Sequence, residues 1–292
     1  MVHDGEFHID DGLVSDLIAE QMPAWSGLEM RRIETSGTVN VIYRLGTDKL
    51  VRLPRLDAFS SGPLREARWL PEFASRLPLQ IPEYLALGSP TKAYPSAWSV
   101  LSWIQGDNAS QANLWNLHRT AEQLGEFVLA LREVGTAGAP DGSYRGHGLA
   151  GRDADAHRAI EQLPADFDQG ALKRVWESCH SAPVWNGDPA WFHSDLHSGN
   201  LLARDGDLVA AIDFEGCSVG DPSSDLIAAW WLFDSSSRIT FREAINPDEP
   251  SWRRGKGWAL FMAVAAIPYY GETNPGFTDM ARQAIDEILS DK

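Results

Sequence analysis

Within residues 11–21 the apolar residues Leu13, Leu17 and Ile18 recur at helical spacing. That spacing predicts a first helix with Asp11 as its cap. The period then shortens. Residues 29–34 and 38–45 read as strands on either side of a turn at Ser36-Gly37, and 48–53 alternates as a third strand stopped by Pro54. Consecutive short strands of this kind predict one small antiparallel sheet. Glu66, Trp69, Leu70 and Phe73 mark an amphipathic helix over 61–76 that opens after Pro63. Strand material punctuated by proline follows over 79–87. Residues 98–104 form a further apolar strand, ended by Gln105-Gly106.

Past residue 114 the pattern changes. Residues 117–134 read as a helix, and helices dominate after 150, interrupted by a strand-rich stretch at 191–215. Residues 135–151 hold six Gly and one Pro and read as a loop inside the second lobe. The longest apolar run, 258–270, is too short to span a bilayer and reads as a buried helix. No internal repeat is visible. The expected fold is α+β with two lobes, a sheet-rich one over 1–101 and a helical one over 102–292.

Composition narrows the partners. The chain has 292 residues, 43% of them hydrophobic, which is enough core for two lobes. A net charge of −16 argues against a nucleic-acid or anionic-membrane partner, since both need a basic face. It suits a cationic small molecule drawn in by a negative field. Cys179 and Cys217 lack metal-ligand spacing and read as reduced thiols, and the polar, acidic first ten residues do not form a secretory signal. The expected location is the cytoplasm. The twelve Trp predict an aromatic core, with the lining of a cleft as their other use.

The chemistry concentrates in residues 191–225, WFHSDLHSGNLLARDGDLVAAIDFEGCSVGDPSSD. His193-x-Asp195-x-x-x-x-Asn200 is followed, thirteen residues past Asn200, by Asp213 in Ile212-Asp213-Phe214. This resembles the layout of a kinase catalytic loop and its metal-binding Asp-Phe pair. The spacing has a physical reason. The loop turns back so that Asp195 meets an acceptor hydroxyl while Asn200 faces a metal. A strand at 201–203, a hairpin turn at Asp205-Gly206 and a returning strand at 208–212 then deliver Asp213 beside Asn200. One carboxylate and one amide are hard oxygen donors, which suits Mg2+ carrying nucleotide phosphates. Asp195 is the expected base, and His193 is expected to brace the loop. A rival reading takes His193, Asp195 and His197 as the metal cluster of a hydrolase. It leaves Gly199-Asn200 and the hairpin without a role.

The segments HSDLHSGN, AIDFEGCSVGDPSSDL and VRLP resemble the aminoglycoside phosphotransferase family, antibiotic kinases with a protein-kinase-like fold. The stretches REARWLPEFASRLPLQIPE and WSVLSWIQG are similar to the macrolide and viomycin- or capreomycin-type kinases as well as to the aminoglycoside kinases. The resemblance implies that 1–101 is the nucleotide-binding lobe and 102–292 the lobe with the catalytic loop and the substrate site. The resemblance runs over most of the chain. It implies a two-lobed kinase fold, ATP or GTP as donor, Mg2+, and phosphorylation of a small-molecule hydroxyl. It implies Asp195 as catalytic base, Asn200 and Asp213 as metal ligands, and Asp225 as a structural acid under the catalytic loop. Arg52 falls at the strand cation and Glu66 at its helix partner, with Lys49 and Arg55 as nearby competitors for Arg52. Two positions depart from the family pattern: Ser194 stands where Gly is usual, and Ser198 where Pro is usual.

The resemblance also assigns the first strand turn, with Gly37, Thr38 and Asn40, to cover the phosphates through backbone amides. Ser102 and Ile104 are assigned to the adenine through backbone groups. For the acceptor, carboxylates at Glu215, Asp234, Glu243, Asp248 and Glu249 and indoles at Trp230, Trp231, Trp252 and Trp258 are candidate contacts to an amine-rich antibiotic. Oligomeric state is left open. The competing readings are a kinase of a metabolite such as an amino alcohol and a nucleotide-binding regulatory protein without transfer. The lack of a G-x-G-x-x-G at the first strand turn, which has Gly37 alone, and Arg52 lend support to the second.

Overall fold

The computed structural model describes residues 5–33, 39–109, 114–142, 145–271 and 273–291. Two units separate by their contacts: Met1–Ser75 with Gln80–Gln105, and Arg76–Leu79 with Gly106–Lys292.

In the first unit, strands β1 (Met30–Ile33), β2 (Asn40–Leu45), β3 (Lys49–Pro54), β4 (Tyr84–Gly88) and β5 (Trp98–Ser102) form an antiparallel sheet in the order β1-β2-β3-β5-β4. Alternation builds its core. Val41, Tyr43, Leu45, Val51 and Leu53 turn inward with Trp98 and Val100, and helix α1 (Asp11–Gln21) adds Val14, Leu17 and Ile18. The cap of α1 is Asp10, whose carboxylate accepts from Leu13 N at 2.8 Å, one residue before the expected Asp11. Helix α2 (Gly62–Ala74) starts one residue before Pro63 rather than after it. Proline is tolerated there because first-turn N–H groups have no helical acceptor. Its buried face carries Glu66, Trp69, Leu70 and Phe73. Strand β4 starts only at Tyr84, past Pro82, which has no N–H to give to a ladder.

In the second unit, α3 (Leu117–Arg132) packs on α7 (Ser235–Ile245), and α8 (Glu249–Tyr270) packs on α9 (Pro275–Ser290). Helices α4 (Asp153–Glu161) and α5 (Gln169–His180) flank α8, and α6 (Ala228–Trp231) is a single turn. Two small sheets frame the chemistry. Strand β7 (Ala190–Phe192) pairs with β10 (Ser218–Gly220), while β6 (Asp107–Asn108), β8 (Leu201–Arg204) and β9 (Asp207–Ala211) form the other. The apolar run 258–270 lies in α8, buried for most of its length. Among the described residues no helix is long and apolar enough to cross a membrane. Cys179 and Cys217 are buried free thiols.

Asp234 caps α7. Its carboxylate accepts from Ser237 N at 2.8 Å, Ser237 Oγ at 2.7 Å and Ser236 N at 3.1 Å. The bonds from Ser237 are the main reason its pKa falls to about 2. Asp234→Ala is expected to cost about 1 kcal/mol in urea unfolding at neutral pH. A folded-state pKa below the unfolded value contributes stability that is full above the unfolded value and is lost as pH falls to the folded one. The gap between wild type and variant therefore closes as pH falls through about 4 towards 2.

Candidate active site

The loop over 193–200, the expected catalytic loop, hangs between the two small sheets. Strand β7 launches it at His193, and β8 receives it after a short helical turn at Ser198–Asn200. The β8–β9 hairpin closes through Asp205 and Gly206, both at positive φ (53° and 80°), the backbone that a two-residue hairpin turn of this hand requires. Beyond the paired strands, Ile212 N donates to Asn200 O at 2.9 Å. Asp213 follows directly. The chain thus sets Asp213 beside the residue thirteen positions earlier. Asp213 is left-handed, with φ at 69°, a strained backbone of the kind found at functional sites.

Asp225 holds the loop from below. Its two oxygens accept from His193 N and Ser194 N, both at 2.9 Å. The carboxylate has no exposed surface. Burial pushes its pKa up, opposed by His193, the two amide bonds and Arg132. His193 is equally buried, and burial pushes its pKa down. Its Nε2 meets Ile212 O at 3.0 Å, and its ring packs edge-on against Phe214 at 4.7 Å. His193 therefore ties the loop to the segment that carries Asp213. Ser194 has φ of 76°, a left-handed backbone that costs about 1 kcal/mol for a residue with a Cβ. This conformation accounts for glycine being the usual residue there.

Three side chains hold the Asp195 carboxylate, yet 36% of its side chain stays exposed. Asn200 Nδ2 donates to its Oδ2 at 2.9 Å and to its carbonyl at 3.0 Å. His197 Nε2 lies 3.3 Å from Oδ2, and Arg145 Nη1 donates to Oδ1 at 3.1 Å. Because His197 Nδ1 accepts from Gly199 N at 3.0 Å, Nε2 is the ring nitrogen that carries the proton towards Asp195. Burial alone would raise the Asp195 pKa. His197 and Arg145 outweigh it and hold the carboxyl well below the usual range. Arg145 carries no local signal in the sequence, and His197 enters there only as a candidate hydrolase ligand. A cluster of His193, Asp195 and His197 does not form: the His193 ring is turned to Ile212 O. Among the described residues no group of three His, Cys, Asp or Glu is gathered for a metal.

In the first unit Arg52 and Glu66 meet at 2.8 Å, both buried. The competitors for Arg52 are engaged elsewhere. Lys49 pairs with Asp48 at 2.9 Å and lies over Trp25, and Arg55 pairs with Glu6 at 3.4 Å. Gly37 and Thr38 fall outside the described residues. Asn40 is not a turn residue: it opens β2, buried, opposite Pro54. Ser102 N donates to Glu83 O, and Ser102 Oγ accepts from Glu83 N, both at 2.8 Å. The N–H of Ser102 is therefore taken within the sheet, and Ile104 lies two residues past its end.

Of the candidate acceptor contacts, the four indoles and three of the carboxylates are engaged within the fold. Trp230, Trp231, Trp252 and Trp258 are all buried core residues. Asp234 and Asp248 cap α7 and α8, and Glu249 pairs with Arg242. Helix ends with unmet N–H groups bind carboxylates more locally than any ligand does.

Over residues 29–258 the sequence matches the phosphotransferase enzyme family. The chain belongs to this family. Three solved structures show how a phosphotransferase of this kind folds. Aminoglycoside 2'-phosphotransferase-IIIa, in its GDP complex, aligns with TM-score 0.73 at 16% identity, over 97% of this chain and 99% of that one. APH(2")-IIa with streptomycin and ATP gives 0.60 at 16% identity, over 97% and 99%. The macrolide 2'-phosphotransferase MphH from Brachybacterium faecium gives 0.61 at 18% identity, over 93% and 97%. No curated protein sequence matches. The phosphotransferase described here therefore has the kinase-like fold of the antibiotic kinases, with a five-stranded antiparallel sheet in its N-terminal part and a helical C-terminal part.

Proposed function

We propose that this phosphotransferase moves the γ-phosphoryl group of ATP or GTP onto a hydroxyl of a small molecule, with an antibiotic of aminoglycoside, macrolide or cationic peptide type as the leading class. One observation carries the reading. Asp195 and Asn200 are in direct contact, and a hydrogen bond between Ile212 and Asn200 brings in the segment bearing Asp213.

Asp195 orients the acceptor hydroxyl and takes its proton, through a carboxylate that is ionised and partly exposed. Magnesium fits the donor set. The Asn200 nitrogen is committed to Asp195, so its amide oxygen is the atom for a cation, and Asp213 adds a carboxylate. When bound, the metal would offset the charge on the phosphates. Arg52, anchored by Glu66, is the cation we assign to the nucleotide phosphates, as a forked donor in place of lysine. We assign adenine contact to the backbone at Ile104, since the Ser102 N–H is engaged. A net charge of −16 supports a cationic acceptor through long-range attraction.

The test is incubation with labelled ATP or GTP and a panel of aminoglycosides, macrolides, cationic peptide antibiotics and amino alcohols, read by mass. One compound should gain a single phosphate, only with magnesium. In the same assay Asp213→Ala is expected to weaken magnesium–nucleotide binding by at least about 10–100-fold, the loss known for mere supports of metal ligands. Magnesium-independent nucleotide binding with no transfer to any compound would favour the regulatory reading.

A further inference from the structure

The loop before α4 reaches into the catalytic centre. We infer that Arg145 is a positioning residue for Asp195, locking the carboxylate in the orientation that receives the acceptor hydroxyl. The inference rests on the base role proposed above for Asp195.

The contact is one of two opposed grips. Arg145 Nη1 holds Oδ1 at 3.1 Å, while Asn200 Nδ2 and His197 Nε2 hold Oδ2 at 2.9 Å and 3.3 Å. With a donor on each oxygen, the carboxylate plane cannot rotate. A carboxylate offers about four acceptor sites, so one remains for the substrate. The Arg145 side chain is 20% exposed, so its guanidinium is held in place rather than swept by solvent.

The backbone around Arg145 is anchored to the strand pair that launches the catalytic loop. Gly142 N donates to Val219 O at 2.8 Å, Val219 N to Pro140 O at 3.0 Å, and Asp221 N to Gly146 O at 2.9 Å. Val219 lies in β10, whose partner β7 leads directly into His193. Close approach makes the seat specific. A Cβ at Gly142 would come within 2.5 Å of the Phe192 ring and 2.9 Å of Val219 O, and one at Gly220 within 2.7 Å of Gly146 O. The loop therefore lies tight against β7 and β10 at Gly142 and Gly146. Both ends of the Arg145–Asp195 pair are fixed to the same two strands.

The step served is simple. The acceptor oxygen forms a bond to the γ-phosphorus, and the bond from that phosphorus to the bridging oxygen breaks. Its electron pair leaves with the nucleoside diphosphate, and the hydroxyl proton passes to Asp195. In such a loose transition state the enzyme contributes position above all. A carboxylate free to rotate would lose alignment without losing the nucleotide.

The experiment compares full-length wild type, Arg145→Met, Arg145→Lys and Asp195→Asn, and adds Arg145→Met in the Asp195→Asn background. Arg145→Met is expected to lower kcat by about 10–100-fold, as misplacement by about 1 Å does, with nucleotide KM within about twofold. Arg145→Lys should restore part of the loss. In the Asp195→Asn background Arg145→Met should cost nothing further. Unchanged or increased kcat would overturn the inference, and so would an equal loss in both backgrounds. Hydrogen exchange of the amides at 193–200, measured without substrate, is expected to quicken in Arg145→Met; unchanged exchange would overturn it too. Should wild type phosphorylate nothing, the kinase reading falls by itself, and the exchange result alone judges Arg145.

Discussion

Asp195→Ala is expected to lower phosphoryl transfer by about 10²–10⁴-fold, the range for a positioned proton acceptor. Nucleotide affinity should stay near that of wild type, because the residues assigned to phosphate and metal are others. The variant removes the one side chain that Arg145, Asn200 and His197 all hold. What remains is binding without a group to align the hydroxyl. Single-turnover transfer and nucleotide titration on the same preparation separate the two effects. Equal loss of affinity in Asp195→Ala and Asp213→Ala would contradict the division of roles. Asp195→Asn is the companion variant, since it keeps the shape of the side chain but not its charge.

The second large effect concerns stability, at a pair of charges that supports the site from a distance. Arg254 Nε donates to Asp221 Oδ2 at 2.7 Å, and both residues are almost wholly buried. Arg254 also reaches Pro183 O at 2.7 Å and Ser251 Oγ at 2.9 Å, so its donors are well used. Asp221 accepts from Ser223 N at 3.0 Å and opens the turn Pro222–Ile227, which carries Asp225. Arg254→Met strands a carboxylate in the interior, and the expected cost is about 3–5 kcal/mol in urea unfolding. Combining Arg254→Met with Asp221→Leu should recover most of it. A buried pair gives little advantage over apolar side chains of similar size, whereas half a pair is costly. A loss below about 1 kcal/mol for Arg254→Met would mean that water reaches the carboxylate. The loop over 193–200 should loosen along with the turn, so the single variant should also lose turnover below its unfolding midpoint.

Local features were readable from the chain. The β8–β9 hairpin followed from Asp205-Gly206 between two apolar runs, because a turn of that kind depends only on its own residues. Helix α3 and the apolar α8 were visible for the same reason. Where expectation slipped, competition within a few residues decided. Asp10 won the cap of α1 from Asp11, and Pro82 delayed β4. The four indoles and three of the carboxylates named as candidate acceptor contacts were claimed closer to home. Asp234 and Asp248 satisfy helix N-termini, and the four indoles fill the core. Composition counts such residues without telling which are already spoken for.

By itself the sequence determined the strands and first helices of the N-terminal part, the helix α3, and the hairpin that returns Asp213 to Asn200. Those depend on neighbours along the chain. The tertiary structure decided what surrounds Asp195. Arg145 lies fifty residues before it in a glycine-rich loop, and nothing in the local pattern separates that arginine from a solvated one. Its partner was chosen by the docking of the loop on β10, a contact between segments far apart in sequence, where packing and backbone hydrogen bonding set the distance.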